Sequence, residues 1–332
     1  MLVMQGKIAL EEHFSNEEFL GDIKQYFIRE GKWDKGSCNI LDITGQRLEE
    51  MDKNGIELTI LSLSSPAVQA VLDPKEAVEK AIAVNDYIAE AIANYKNRFA
   101  SFCALPTQDP DASIKELHRC MKELGMKGAL INGFCQIGDV ENCVYLDQPQ
   151  YEDFWAEVEK LDAPIYLHPR MAAPSVMNKM YAGNNWMVSA AWGFHVETAT
   201  HCLRLIASGL FDRHPNLKIV IGHMGELLPF QIWRITNRVN GAPRDTRCVK
   251  PFSYYLHNNF HITTSGNCSM PALTCAMMEM GCDRIMFSTD YPYETMKQAA
   301  EWFDNMPVAE YDRLKMGRLN AMKLFHLEDV LK

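Results

Sequence analysis

No stretch of this chain approaches the run of about 18 apolar residues that a membrane-crossing helix needs, so a helical membrane protein is not expected. Positive charge is also short: 33 Lys and Arg stand against 43 Asp and Glu, a net charge of -10. Such a field does not gather nucleic acid or anionic lipid, so neither is an expected partner. An anionic small substrate would then need local positive groups, such as a metal ion or an arginine. The ten cysteines are scattered and none forms a C-x-x-C pair, which points to free thiols in a reducing, cytoplasmic setting. The opening MLVMQGKIALEEHF lacks a basic segment followed by a long apolar one, so no secretory signal is expected there. Three nucleotide and nucleophile signatures are missing. No G-x-x-x-x-G-K-[ST] loop appears, no G-x-G-x-x-G opens a helix after the first strand, and there is no G-x-S-x-G elbow. Low-complexity tracts and short repeats are absent too.

Hydrophobic residues make up 47% of the 332 and charged residues 23%, an ordinary globular balance with ample material for a large core. Short β-branched runs alternate with longer amphipathic ones. Eight strands are predicted, at 7–13, 57–64, 99–106, 127–133, 164–169, 217–223, 260–266 and 284–290. Helical patterns fall between them, at 74–96, 111–124, 151–161, 190–208 and 270–280, with closing helices over 308–325. Eight βα units in one chain predict an α/β fold of the (β/α)8 TIM-barrel kind, a single barrel domain over residues 1–332. Residues 14–56 and 171–189 are long insertions, and 241–256 is irregular and basic. Insertions at the top of a barrel build substrate pockets or subunit contacts.

In this fold, chemistry sits at the carboxyl ends of strands. The first strand ends in Glu11, Glu12 and His13, the fifth in His168, the sixth in His223 and the eighth in Asp290. A closed barrel brings these ends together. Side chains at i and i+2 share a face of a strand, so Glu11 and His13 can reach one ion while Glu12 points away, into a structural ion pair. His168 and Asp290 would complete a set of two nitrogens and two oxygens, which suits Zn²⁺, Mn²⁺ or Fe²⁺ better than Ca²⁺. Glu226 follows His223 by three residues. If the chain turns into a helix there, its carboxylate can reach back and fix the imidazole tautomer. The other histidines, His195 among them, carry weaker signals.

These strand ends resemble those of the amidohydrolase superfamily, in its branch of metal-dependent aromatic acid decarboxylases, with the γ-resorcylate (2,6-dihydroxybenzoate) type nearest. The resemblance runs through GKIALEEHF (6–14), LSLSSPAVQA (61–70), GALINGF (128–134), YLHPR (166–170), ASGLFDRHP (207–215), IGHMGE (221–226), FHITTSGN (260–267) and FSTDYPYE (287–294). Many superfamily hydrolases carry His-x-His on the first strand. Glu-x-His here matches the γ-resorcylate type, whereas related 2,3-dihydroxybenzoate and salicylate decarboxylases have alanine where His13 stands. The resemblance implies one divalent metal ion per subunit, Zn²⁺ or Mn²⁺ with Mg²⁺ as a third option, held by Glu11, His13, His168 and Asp290. His223 and Glu226 would assist Asp290, and the assembly would be a homotetramer. Residues 18–40 and 171–187 depart from the family pattern, and both are expected to shape the ring pocket.

The implied reaction is reversible decarboxylation of an ortho-hydroxybenzoate to a phenol and CO2. Direct loss of CO2 would leave an unstable aryl anion. Protonating the ring carbon that carries the carboxylate avoids this, and Asp290, protonated and with a raised pKa, is the expected donor. Arg234 is a candidate substrate anchor, and Phe194, with Trp192 beside it, a candidate ring-packing residue. The alternatives are decarboxylases of the 2,3-dihydroxybenzoate, salicylate or orsellinate type. A metal-dependent lactone or amide hydrolase and a non-catalytic metal-binding barrel are more distant.

Overall fold

The structure, a computed structural model, describes residues 3–29, 33–241 and 245–331. Small parts of two predicted irregular stretches, 30–32 and 242–244, therefore lie outside the described residues. Among the described residues ten strands form: β1 (Lys7–Phe14), β2 (Ile56–Leu63), β3 (Phe99–Ser101), β4 (Ala129–Asn132), β5 (Cys135–Ile137), β6 (Asp139–Val144), β7 (Ile165–His168), β8 (Ile219–Ile221), β9 (Phe260–Thr263) and β10 (Ile285–Met286). Eight are the predicted ones: β1 runs one residue further, β2 is shifted by one, and the other six are trimmed at their ends. The sequence reading placed no strand at β5 and β6. They form an antiparallel hairpin that turns at Gly138, whose φ of 72° suits a residue without Cβ.

The eight remaining strands pair in parallel in the orders β1-β2-β3 and β10-β9-β8-β7-β4. A bridge between Cys103 and Ala129 joins β3 to β4. At the opposite seam, Asp290 N donates to Glu11 O at 3.1 Å and His13 N to Tyr291 O at 2.7 Å. The segment after β10 is thus laid against β1, and the α/β architecture is that of a (β/α)8 barrel. Helices cover the outside. Several begin with a side-chain cap: Asp73 before Pro74–Ala91, Asp109 before Pro110–Lys122 and Ser269 before Met270–Met280.

The lumen is filled by Ile8, Leu10, Leu58, Ile60, Phe102, Leu130, Tyr166, Val220 and Met286, with Leu324 and Phe325 packed beneath. One irregularity decides what stands above this plug. Strict alternation from Ile8 and Leu10 would send Glu12 inward. Between Ala9 and Glu12, however, β1 advances three residues while β2 advances two, from Thr59 to Leu61. This bulge reverses the parity. Glu11 and His13 point into the barrel, and Glu12 points out.

Among the described residues Glu12 does not form the expected ion pair. It is buried and accepts hydrogen bonds from Thr289 N at 2.8 Å and Thr289 Oγ1 at 2.6 Å. Burial raises its pKa to about 7 despite these donors and the nearby Arg47. The residue thus ties the end of β1 to the residue preceding Asp290.

Candidate metal centre and cavity

Glu11 is held asymmetrically. Its Oε2 accepts hydrogen bonds from the hydroxyls of Tyr166 and Ser265 and, at 3.4 Å, from Thr263. Gly222 makes room for this: a Cβ there would stand 2.5 Å from Oε2. Its other oxygen, Oε1, has no hydrogen-bond donor among the described residues and faces three imidazoles. His168 Nε2 is 3.2 Å away, His223 Nε2 3.6 Å and His13 Nε2 4.0 Å. His13 is oriented by Ser62, whose hydroxyl meets Nδ1 at 3.1 Å; its buried Nε2 is left without a hydrogen-bond partner, 3.3 Å from Asp290 Oδ1. Glu11, His13 and His168 offer ligand atoms that all lie within 4.8 Å of one another, and so do Glu11, His223 and Asp290. Orphaned, buried carboxylate and imidazole atoms facing one point form a donor set that fits a divalent cation.

Asp290 and His223 occupy left-handed backbone, with φ of 69° and 49°. For residues other than glycine such conformations cost about 1–3 kcal/mol and concentrate at functional sites. Gly266 lies against both: a Cβ there would come within 3.1 Å of Asp290 Oδ2 and 3.2 Å of His223 Cδ2. Glu226 reaches back to His223 as expected, but by a different route. No helix begins at His223. His223, Met224, Glu226 and Leu227 all have positive φ, and the helix starts only at Leu228. From that turn Glu226 Oε1 meets His223 Nδ1 at 2.7 Å. Its Oε2 meets His195 Nδ1 at 2.6 Å. The sequence reading ranked His195 among the weaker histidines; the structure places it at the site.

The charges are sorted by this geometry. Burial raises the Glu11 pKa, but His223, His168 and His13 together outweigh it and hold the carboxyl well below its ordinary range. Burial lowers His168, which favours the neutral ring a metal ligand requires. His223 goes the other way: Glu11, Glu226 and Asp290 overcome its burial and keep it charged. Glu226 falls to about 2, with His223 and His195 overriding burial. Asp290 is also lowered: burial raises it, but the imidazoles of His13 and His223 beside its carboxylate outweigh that. The expectation of a raised Asp290 pKa therefore fails in this arrangement. His223 Nε2 stands 3.6 Å from Asp290 Oδ2, its pKa raised where that of Asp290 is lowered.

Above these groups opens a cavity of ≈ 140 Å³ lined by His13, Ser64, Ser65, His168, Ser189, Ala190, Phe194, His223, Asp290, Tyr293 and Glu294. A cavity of roughly 150 Å³ admits a benzene ring. Larger clefts of up to ≈ 740 Å³ lie on other faces and contain none of the clustered ligand residues. Phe194 lines the cavity as expected; Trp192 does not. Arg234 does not line it either. It lies on the exposed face of the helix Leu228–Asn240.

The chain matches the amidohydrolase family over residues 39–327. It is 50% identical to the γ-resorcylate decarboxylase of Rhizobium radiobacter over 328 residues, 98% of this chain and 99% of that one. A crystal structure of 2,6-dihydroxybenzoate decarboxylase complexed with 2,6-dihydroxybenzoate superposes with a TM-score of 0.95 at 50% identity, covering 98% of this chain and 100% of the other. A dihydroxybenzoic acid decarboxylase from Polaromonas, with bound manganese and the inhibitor 2-nitroresorcinol, gives 0.94 at 47% identity and covers 98% of each chain. With the strand-end site and these likenesses together, the chain belongs to the amidohydrolase family.

Proposed function

We propose that this protein is a metal-dependent carboxy-lyase that converts 2,6-dihydroxybenzoate to 1,3-dihydroxybenzene and CO2. The observation that carries the reading is the convergence of Glu11 Oε1, His13 Nε2, His168 Nε2 and the Asp290 carboxylate beneath a cavity of single-ring size. Glu11, His13, His168 and Asp290 would hold one divalent cation. Two nitrogens and two oxygens suit Zn²⁺ or Mn²⁺, with Mg²⁺ less favoured, and manganese is bound in the Polaromonas relative. Such an ion would supply positive charge to offset that of the anionic substrate.

The chain's own residues do the rest. Phe194 and Ala190 present an apolar wall to the ring. His223 Nε2 carries the proton, kept there by Glu226 at Nδ1 and by the carboxylates of Glu11 and Asp290. Asp290 takes that proton from His223 and passes it to the ring carbon bearing the carboxylate. A C–H bond forms, the bond to the carboxyl carbon breaks, and CO2 departs with aromaticity restored. No electron acceptor is required, in keeping with a sequence without a dinucleotide fingerprint.

The same reading makes the active form a homotetramer in a reducing, cytoplasmic setting. Phe230 and Trp233, 76% and 72% exposed on the helix Leu228–Asn240, offer apolar surface for subunit contact. None of the ten cysteines forms a disulfide. Replacing Asp290 with Asn tests the proton role. CO2 release from 2,6-dihydroxybenzoate should fall by about 10²–10⁴-fold, with metal content measured on the same sample. Full turnover in Asp290→Asn at wild-type metal content would remove Asp290 from the chemistry.

A further inference from the structure

Three hydroxyls on the cavity wall take no part in the chemistry above. Ser64 and Ser65 directly follow β2 and are only 2% and 3% exposed. The Ser64 hydroxyl meets that of Tyr293 at 2.5 Å. The Ser65 hydroxyl, equally buried, has no hydrogen-bond partner among the described residues. A buried hydroxyl left unmet is costly and rare, and this one belongs to a residue that lines a cavity.

The position of the group matters as much as its polarity. Ser62, two residues before Ser64, hydrogen-bonds His13 Nδ1. The Tyr293 ring packs edge-on against the His13 ring, with centroids 5.6 Å apart. The hydroxyls therefore stand beside the candidate metal centre, at the end of the cavity where the decarboxylase reading would seat the substrate carboxylate. A substituent that reaches them is ortho to that carboxylate. With the carboxylate and one ortho oxygen turned toward Glu11, His13, His168 and Asp290, the second ortho position would be the one left to face this wall.

We infer that Ser64, Ser65 and Tyr293 form a subsite that receives the second ortho hydroxyl of the substrate, and so select 2,6-dihydroxybenzoates over benzoates with hydrogen or methyl at that position. This inference rests on the decarboxylase reading. A hydroxyl there would satisfy Ser65 and extend the Ser64–Tyr293 pair. A methyl of similar size would leave the serine unmet, which is how a site built around a hydroxyl rejects the analogue lacking it.

The test compares kcat/KM for CO2 release from 2,6-dihydroxybenzoate, 2-hydroxybenzoate and 2-hydroxy-6-methylbenzoate. It uses metal-loaded wild type, Ser65→Ala and Tyr293→Phe, each checked by thermal melting. Ratios between substrates within one protein cancel losses of fold or metal that affect all three alike. Comparing the ratio across proteins cancels the electronic effect of the substituent. Each variant should lower the preference for 2,6-dihydroxybenzoate over 2-hydroxy-6-methylbenzoate by about tenfold. CO2 release with ratios preserved within about twofold would overturn the subsite and leave the decarboxylase reading standing. Wild type releasing no CO2 from any of the three would overturn both.

Discussion

Glu226 gives one carboxylate oxygen to each of two histidines, His223 at 2.7 Å and His195 at 2.6 Å. Only His223 approaches Asp290, so His195 acts through Glu226 and is a positioning residue. Removing its donor frees Glu226 to rotate away from His223 Nδ1, and the loss of such a support costs about 10–100-fold where imidazole partners have been removed. His195→Ala should therefore lower kcat for decarboxylation by about tenfold. His195→Asn, which can still donate to Glu226, should recover part of that loss. Equal kcat in wild type and both variants would reduce His195 to packing. Glu11, His13, His168, His223 and Asp290 were legible because ionisable residues at the ends of apolar strands are conspicuous. His195 was not, because it comes from the helix Gly193–Ala207, where its position in the sequence carries no strand-end signal. Ser64, Ser65 and Tyr293 fell within noticed motifs, yet only their three-dimensional contacts separate them from other hydroxyls.

Among the elements, β1 shows how a local irregularity sets the chemistry. The sequence ends this strand in two adjacent glutamates, and alternation alone does not say which faces the lumen. The bulge between Ala9 and Glu12 decides for Glu11, and the Thr289 donors give Glu12 a buried place outside the barrel wall. The eight strands themselves could be read from periodicity because each is a short apolar run between turns. The β5–β6 hairpin escaped because its outer strand, Asp139–Val144, is mostly exposed and lacks apolar alternation. The helix Gly193–Ala207 carries a second consequence. It buries Glu197, whose pKa is raised from 4.5 to about 7 by burial, against the pull of Tyr145 and Arg170. The folded chain thus holds this proton more tightly than the unfolded chain. The stabilising contribution is full below about pH 4.5 and is lost as the pH rises through about 7, a loss on the order of 3 kcal/mol. Glu197→Gln cannot ionise, so chemical denaturation at pH 5 and pH 8 should show the variant losing less stability than wild type over that interval. Parallel losses in the two proteins would mean that Glu197 is already ionised in the folded state at pH 5.

At the scale of the whole molecule, a chain of net charge -10 is assigned an anionic substrate. Asp290 and Glu294 line the cavity, Glu11 lies buried beneath it with Glu226 behind His223, and Arg234 lies on an exposed helix face rather than at the cavity. Binding a benzoate therefore depends on positive charge brought by a cation, with the His223 imidazolium beside it. Among the described residues, no helix is long and apolar enough to cross a membrane. The decisive measurement is to strip the protein of metal with a chelator and titrate Mn²⁺ back. Bound metal, melting temperature and CO2 release from 2,6-dihydroxybenzoate are followed on the same samples. The expected result is a silent, less stable metal-free protein that gains thermal stability and turnover together, both saturating at about one ion per chain, as one ion shared by Glu11, His13, His168 and Asp290 requires. Undiminished CO2 release from metal-free protein, or full occupancy without turnover, would contradict it.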